Sequence, residues 1–206
     1  DTLNARGDAY LKLDQSDQAL ADFEKALSIN PRFVDALVNK ARVLTSDDAN
    51  AALKLAEQAL ALAPNHALAW FARGDFLNEL KRHGDALDSF AHALALQPDF
   101  PEALLGRGDA LRELRRFDQA IESYEKAIAM KPDLASAHNA LGLIYLEMGR
   151  IDDAASIIKK AIELDPTAGD FYLNLVAARK FTAVDPDLAA MEASAAKVVK
   201  TSKKNH

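Results

Sequence analysis

A proline returns at nearly constant intervals along this chain of 206 residues. Two series of alanines recur with the same period of about 34 residues. A repeat of this length is typical of stacked helical hairpins. The chain is therefore predicted to be an array of repeats and not a domain built around one core. The prolines are Pro31, Pro64, Pro98, Pro132 and Pro166, and the alanines are Ala19, Ala52, Ala86, Ala120 and Ala154, with Ala26, Ala59, Ala93, Ala127 and Ala161.

Further sites keep the same period, and they include a small residue with a large residue four positions before it. Together they follow the W-x2-L-G-x2-Y…A-x3-F…P pattern, so the chain resembles the tetratricopeptide repeat (TPR) family over residues 1–180. The resemblance implies an all-α fold, a right-handed superhelical solenoid of helix-turn-helix repeats with a C-terminal capping helix. The small sites are Gly7, Ala41, Gly74, Gly108 and Gly142, the large sites before them are Leu3, Leu37, Trp70, Leu104 and His138, and the bulky second-helix sites are Phe23, Ala56, Phe90, Tyr124 and Ile158.

The period also predicts where each repeat begins and ends. Because the chain opens on Asp1, almost inside the first predicted helix, the outer side of that helix is expected to be uncapped. Either earlier repeats or a second molecule would cover it, so a homodimer through this end is one expectation. The predicted repeats are 1–33, 34–66 (one residue short), 67–100, 101–134 and 135–168, followed by a degenerate sixth repeat with a capping helix at 169–199 and a basic tail at 200–206.

Composition excludes several classes of function. The chain has no cysteine, which removes disulfides and thiolate chemistry. A net charge of −6 argues against binding to the phosphates of nucleic acids. No apolar run is long enough for insertion into a membrane, and the absence of a visible signal peptide favours a cytoplasmic location.

One tripeptide and the histidines could suggest a functional site, but neither has the sequence context that such a site needs. Arg-Gly-Asp occurs at 6–8, 73–75 and 107–109, but each glycine is the small packing site of a predicted helix. The five histidines form no set of metal ligands, and no phosphate-binding loop, nucleophile elbow or carboxylate pair is present. The chain is therefore predicted not to be an enzyme, and to hold no metal and no cofactor.

The family resemblance implies that the first helices line a concave groove that binds a peptide or a partner helix. Helical phase assigns the lining, in which apolar residues one repeat apart form a floor and carboxylates favour a basic partner. The predicted lining is Asn4, Asp8, Lys12, Val38, Arg42, Phe71, Asp75, Asn78, Glu79, Leu105, Asp109, Arg112, Glu113, Asn139, Leu143, Leu146 and Glu147, with Phe71, Leu105 and Leu143 as the floor.

The leading functional hypothesis is a non-catalytic scaffold that binds a protein or peptide. The alternative is that the repeats present substrate to a catalytic domain of a larger bacterial enzyme. Residues 180–187 and 190–193 resemble the segment that follows the repeats of bacterial TPR-containing sulfotransferases. A repeat-linked glycosyltransferase is a more distant variant of this alternative.

Overall fold

The computed structural model describes residues 2–44 and 48–180, which form helices joined by short turns. The predicted capping helix and basic tail, and most of the sulfotransferase-like segment, lie outside the described residues. The helices are α1 (Thr2–Lys12), α2 (Ser16–Ile29), α3 (Val34–Leu44), α4 (Ala49–Leu62), α5 (Ala67–Glu79), α6 (His83–Leu96), α7 (Pro101–Glu113), α8 (Phe117–Met130), α9 (Ala135–Glu147), α10 (Ile151–Leu164) and α11 (Gly169–Lys180).

The helices belong to two compact units, residues 1–114 and 115–206. In the first unit, hairpins 1 (α1–α2), 2 (α3–α4) and 3 (α5–α6) are followed by α7, and each helix contacts the next. The first helices α1, α3, α5 and α7 also contact one another in series. In the described part of the second unit, α8, α9, α10 and α11 contact one another in chain order, and α9 also contacts α11.

The small site of each first helix faces the bulky site of its second helix. A Cβ atom added to Gly7 would lie 2.5 Å from Cε1 of Phe23, and one added to Gly74 would lie 2.6 Å from Cε1 of Phe90. Both rings are completely buried. The prediction that a small residue makes room for the second helix is confirmed. Each buried ring contributes roughly 2–3 kcal/mol of hydrophobic stabilisation.

The alanine series form the core of the hairpins. Ala19, Ala52 and Ala86 have no exposed surface, and the alanines seven residues after them are exposed by at most 5%. Small side chains on this inward stripe let the backbones approach closely. Hairpin 2 combines Ala41 with Ala56, so its first helix has one methyl group more than a glycine would and its second helix lacks the aromatic ring.

Four of the turns that follow a first helix share one backbone geometry. Asp14, Lys81, Arg115 and Gly149, each seven residues after a small site, have positive φ angles of 58°, 60°, 61° and 74°. This left-handed conformation ends the first helix and redirects the chain. In the turn after hairpin 2's first helix, Asp48 caps α4 by accepting hydrogen bonds from the backbone N–H groups of residues 50 and 51.

The turns between repeats are closed by the large residue of the following first helix. The indole Nε1 of Trp70 donates to the carbonyl oxygen of Pro64 at 2.7 Å, and the hydroxyl of Tyr172 donates to that of Pro166 at 3.3 Å. His138 bonds the carbonyl of the proline six residues earlier at 2.9 Å through Nε2, so this nitrogen carries the proton. Because Trp70 has this structural role, its presence requires no ligand.

Candidate functional site

A cavity of about 540 Å³ opens beside the first helices of the first unit. It joins side chains of α3, α5 and α7, which are neighbours because these helices contact one another in series. Seven residues of the predicted lining border it, namely Arg42, Asp75, Asn78, Glu79, Asp109, Arg112 and Glu113. Helical phase did not predict the other lining residues, which are Ala72, Phe76, Lys81, His83 and Gly106.

In the Arg-Gly-Asp tripeptides of hairpins 1 and 3, the arginine and the glycine contact the second helix of the hairpin, and the aspartate does not. In hairpin 1, the guanidinium of Arg6 donates two hydrogen bonds of 2.5 Å to Asp22 of α2 and holds the pKa of that carboxyl below its usual value. In hairpin 3, Arg73 donates to the hydroxyl of Ser89 at 2.6 Å. The arginine thus secures the second helix, the glycine admits its ring, and in hairpin 3 the aspartate, Asp75, borders the cavity.

Asp75 differs from the equivalent aspartate of hairpin 1. Asp8 forms an ion pair of 2.8 Å with Lys12 one turn later on α1. Asp75 is half-buried, and its carboxyl has no hydrogen bond or ion pair within residues 2–44 and 48–180. Burial raises the pKa of Asp75 to about 8, repulsion from Asp109 and Glu79 adds to the rise, and the positive charge of Arg42 opposes it. The cavity therefore contains a carboxyl that is largely protonated at neutral pH.

The other polar side chains at this end of the cavity are held in place. The amide Nδ2 of Asn78 donates to the carbonyl oxygen of Gly106 at 3.1 Å, which orients Oδ1 toward His83. Nδ1 of His83 lies 3.1 Å from that oxygen and therefore carries the proton. Arg112 donates to Glu113 at 2.9 Å.

Charges of both signs surround the cavity. Glu79 and Asp109 border it together with the cations Arg42 and Lys81, and burial raises the pKa of Glu79. Within the described residues, no group of three or more histidine, aspartate and glutamate side chains is arranged to hold a metal ion. The lining therefore presents charged groups of both signs around one cavity.

Several predicted lining residues have structural partners instead. Asn39 donates to Asn4 at 3.2 Å, and Asn174 donates to Asn139 at 3.0 Å, so equivalent amide pairs join neighbouring first helices in each unit. Val38 has no exposed surface and belongs to the core, because α1 and α5 contact α3. The assignment of Val38 to an accessible groove is therefore corrected.

The predicted apolar floor is accessible in part. Phe71 is half-buried, with its ring centroid 4.9 Å from that of Phe100 and 6.1 Å from that of Phe90. Leu105 of the same unit is half-buried as well. In the second unit, Leu143 and Leu146 are half-buried, and Glu147 is paired with Arg115.

Models of known families match four stretches of the chain. Descriptions of these models read tetratricopeptide repeat for residues 1–33, 44–101 and 135–167, and TPR repeat for residues 108–149. Together the matches cover more than half of the chain. The protein belongs to the tetratricopeptide repeat family.

Solved structures share the fold. A thermophilic TPR protein of Thermus thermophilus is 27% identical with a TM-score of 0.77, over 86% of this chain and 97% of that one. MamA is 26% identical with a TM-score of 0.61, over 80% of this chain and 96% of that one. YrrB, described as a TPR protein with an unusual peptide-binding site, is 22% identical with a TM-score of 0.58, over 85% and 91%. The predicted all-α TPR fold is confirmed.

Two comparisons add nothing to the sulfotransferase resemblance. The family-model matches end at residue 167, before the segment that carries that resemblance. No protein with a curated description matches the sequence.

Among the described residues, no helix is both long and apolar enough to cross a membrane.

Proposed function

We propose that this protein is a non-catalytic scaffold that binds an extended or helical segment of a partner protein along α3, α5 and α7. The observation that carries the proposal is the cavity of about 540 Å³, in which three successive first helices present charged side chains to solvent. Membership of the TPR family supports a role in protein interaction. YrrB, a TPR protein with an unusual peptide-binding site, has the same fold and supports the same role by fold alone.

The spacing of the first helices suits a segment with periodic side chains. Packed helices lie about 8–10 Å apart, so Asp75 and Asp109, at equivalent places on α5 and α7, present their groups at roughly that interval. An extended chain covers this distance in about three residues and a helix in about two turns. A partner segment can therefore contact both carboxyls in register.

Charge and apolar surface together define the preferred partner. Four acidic side chains border the cavity, of which Asp75 is largely protonated at neutral pH until a cation binds, together with the cations Arg42, Lys81 and Arg112. Arg112 is already bonded to Glu113. Phe71 and Leu105 add half-buried apolar surface on the same helices. A basic segment with apolar residues beside its charges matches this lining best.

A displayed library of random peptides tests the proposal. The purified protein is used to select peptides, and binding is measured for a variant carrying Glu79→Arg and Glu113→Arg, two exposed positions at the cavity. The matched control carries Asp88→Arg and Asp118→Arg, which make the same charge change at exposed positions of second helices. Selected peptides should bind the control like the unmodified protein and the cavity variant at least tenfold more weakly. Equal binding to both variants would contradict the proposal.

A further inference from the structure

One carboxyl of the cavity has no hydrogen bond within the described residues, whereas several of its polar neighbours are bonded. Asn78 is bonded to both Gly106 and His83, and Arg112 is bonded to Glu113. Asp75 has no such partner within the described residues. A half-buried carboxyl without a protein donor is the group to which a donor from a ligand adds most. A ligand that supplies a donor to this carboxyl therefore gains more than one that contacts its bonded neighbours.

Gly106 leaves space at this carboxyl. A Cβ atom on Gly106 would lie 3.2 Å from Oδ1 of Asp75 and 2.6 Å from Cζ of Phe90. Any larger residue at 106 would press on the aspartate and the ring together. With glycine there, α7 passes close to α5 while the cavity still borders Asp75.

We propose that the cavity takes one arginine or lysine side chain of the partner segment, with the carboxylate of Asp75 as its counter-ion. This inference rests on the proposed function and specifies its ligand. A guanidinium or ammonium group supplies the hydrogen-bond donors that Asp75 lacks, and it adds a positive charge to that of Arg42 in the same cavity. A metal ion is not the occupant, because the described residues provide no cluster of metal ligands.

Binding of the cation is coupled to loss of a proton. The pKa of Asp75 is raised to about 8, so the carboxyl must ionise as the cation binds near neutral pH. Affinity then increases with pH and becomes constant above the pKa. The other charged or titratable groups around the cavity are Arg42 of α3, Glu79 of α5, Lys81 of the turn, His83 of α6, and Asp109, Arg112 and Glu113 of α7.

The test uses N-acetyl-arginine N-methylamide as the probe, because a guanidinium remains charged throughout the pH range. Backbone amide signals of the 206-residue chain are followed by NMR during titrations at pH 6, 7, 8 and 9. Signals of residues 72–79 and 106–113 should shift. The Kd should fall about tenfold between pH 6 and pH 7 and become constant above about pH 8, since one proton is released. The corresponding norleucine derivative should shift none of these signals.

Three variants assign the effect to one side chain. Asp75→Asn should bind the probe at least tenfold more weakly at pH 8, with a Kd that no longer depends on pH. Asp8→Asn, at the equivalent position of hairpin 1, should behave like the unmodified protein. His83→Asn should keep the pH dependence, which excludes the imidazole as its source. An unchanged pH profile in Asp75→Asn, or probe signals that shift elsewhere, would overturn the proposal.

The failure of this inference can be distinguished from failure of the proposed function. Library peptides that need the cavity but contain no basic residue would overturn the arginine or lysine site and leave the scaffold function standing. A probe that binds at Asp75 while no peptide requires the cavity would support the cation site and contradict the scaffold function.

Discussion

Glycines of the same helical hairpin face different surroundings, and those surroundings decide the effect of a side chain. Gly74 in α5 lies against the ring of Phe90. Gly84 in α6 has no atom within 4 Å of the position that a Cβ would occupy. Both lose helix propensity relative to alanine, but only the first glycine makes room for a neighbour.

We expect Gly74→Ala to lower the free energy of unfolding by about 1–2 kcal/mol, because displacement of the ring outweighs the gain in helix propensity. Gly84→Ala should raise it by about 0.5–1 kcal/mol. Urea denaturation followed by circular dichroism measures both. Destabilisation of equal size by both substitutions would show that the ring contact is not the cause.

The protonated carboxyl of Asp75 predicts a pH dependence of stability. Its pKa is about 8 in the folded protein, above the ordinary value near 4 in the unfolded chain, so between these values the folded state binds more protons. The free energy of unfolding should therefore fall as pH rises from about 5 to 8, by at most about 1.4 kcal/mol per pH unit from this group. Urea denaturation at pH 5.5, 7 and 8.5 measures it.

Asp75→Asn mimics the neutral acid and should remove this part of the pH dependence. The variant should be more stable than the unmodified protein at pH 8.5 and similar to it at pH 5.5. Asp8→Asn is the control, since Asp8 is paired with Lys12. Identical slopes for Asp75→Asn and the unmodified protein would contradict the prediction.

Residue identities allowed part of the candidate site to be predicted. The period and the helical phase placed Asp75, Asn78 and Asp109 on one surface, because both depend only on position within a repeat. The amide pair of Asn4 and Asn39 could not be found in this way, since it depends on the stagger between neighbouring first helices. Nor does phase reveal that Asp75 lacks a partner, because that depends on the side chains of three helices.

At the scale of elements, several turns after a first helix place the equivalent residue in the left-handed region of backbone conformation. Lys81 and Arg115 have positive φ angles, which cost an L-residue roughly 1 kcal/mol, whereas Gly149 takes the same conformation without that cost. The helix-turn-helix pattern implies a turn in each repeat, and only the backbone shows which residue of the turn is strained.

Substitutions at these turns should have opposite effects. Lys81→Gly should raise the free energy of unfolding by a few tenths to about 1 kcal/mol, and Gly149→Ala should lower it by about 1 kcal/mol. Thermal melting followed by circular dichroism compares the two. Lys54→Gly, on an exposed position inside α4, serves as the control and should be destabilising, because it only reduces helix propensity. Stabilisation by neither turn glycine would mean that the positive φ angles carry no strain.

At the scale of the whole molecule, the repeat period predicted the fold class because successive repeats place small and bulky packing residues at equivalent positions. Partner identity is not encoded in that period, since the packing sites are shared by proteins that bind different partners.

The prediction of a homodimer through the N-terminal end also belongs to the scale of the whole molecule. Leu3, Ile29 and Phe33 border a cleft of about 250 Å³ there, and Ile29 is 72% exposed.

Size-exclusion chromatography with light scattering tests that prediction. The expected result is a mass of about twice 22.4 kDa at high protein concentration. Ile29→Asp should reduce the mass to that of one chain without loss of helicity, since the side chain is exposed. Leu13→Asp, at another exposed apolar residue that does not border the cleft, is the control and should leave the mass unchanged. A single chain at every concentration would show that the prediction is wrong.

The division of roles within Arg-Gly-Asp has a consequence for how such a protein can diversify. The arginine and the glycine are tied to the second helix of their own hairpin, so replacing either one disturbs folding. The aspartate differs, because Asp8 is paired with Lys12 of its own helix and Asp75 borders the cavity. The residue after the small site is Asp8, Arg42, Asp75, Asp109 or Leu143 in successive repeats. Descendants of one ancestral repeat can therefore acquire new partners through single codon changes at this position while their hairpins keep the same interior.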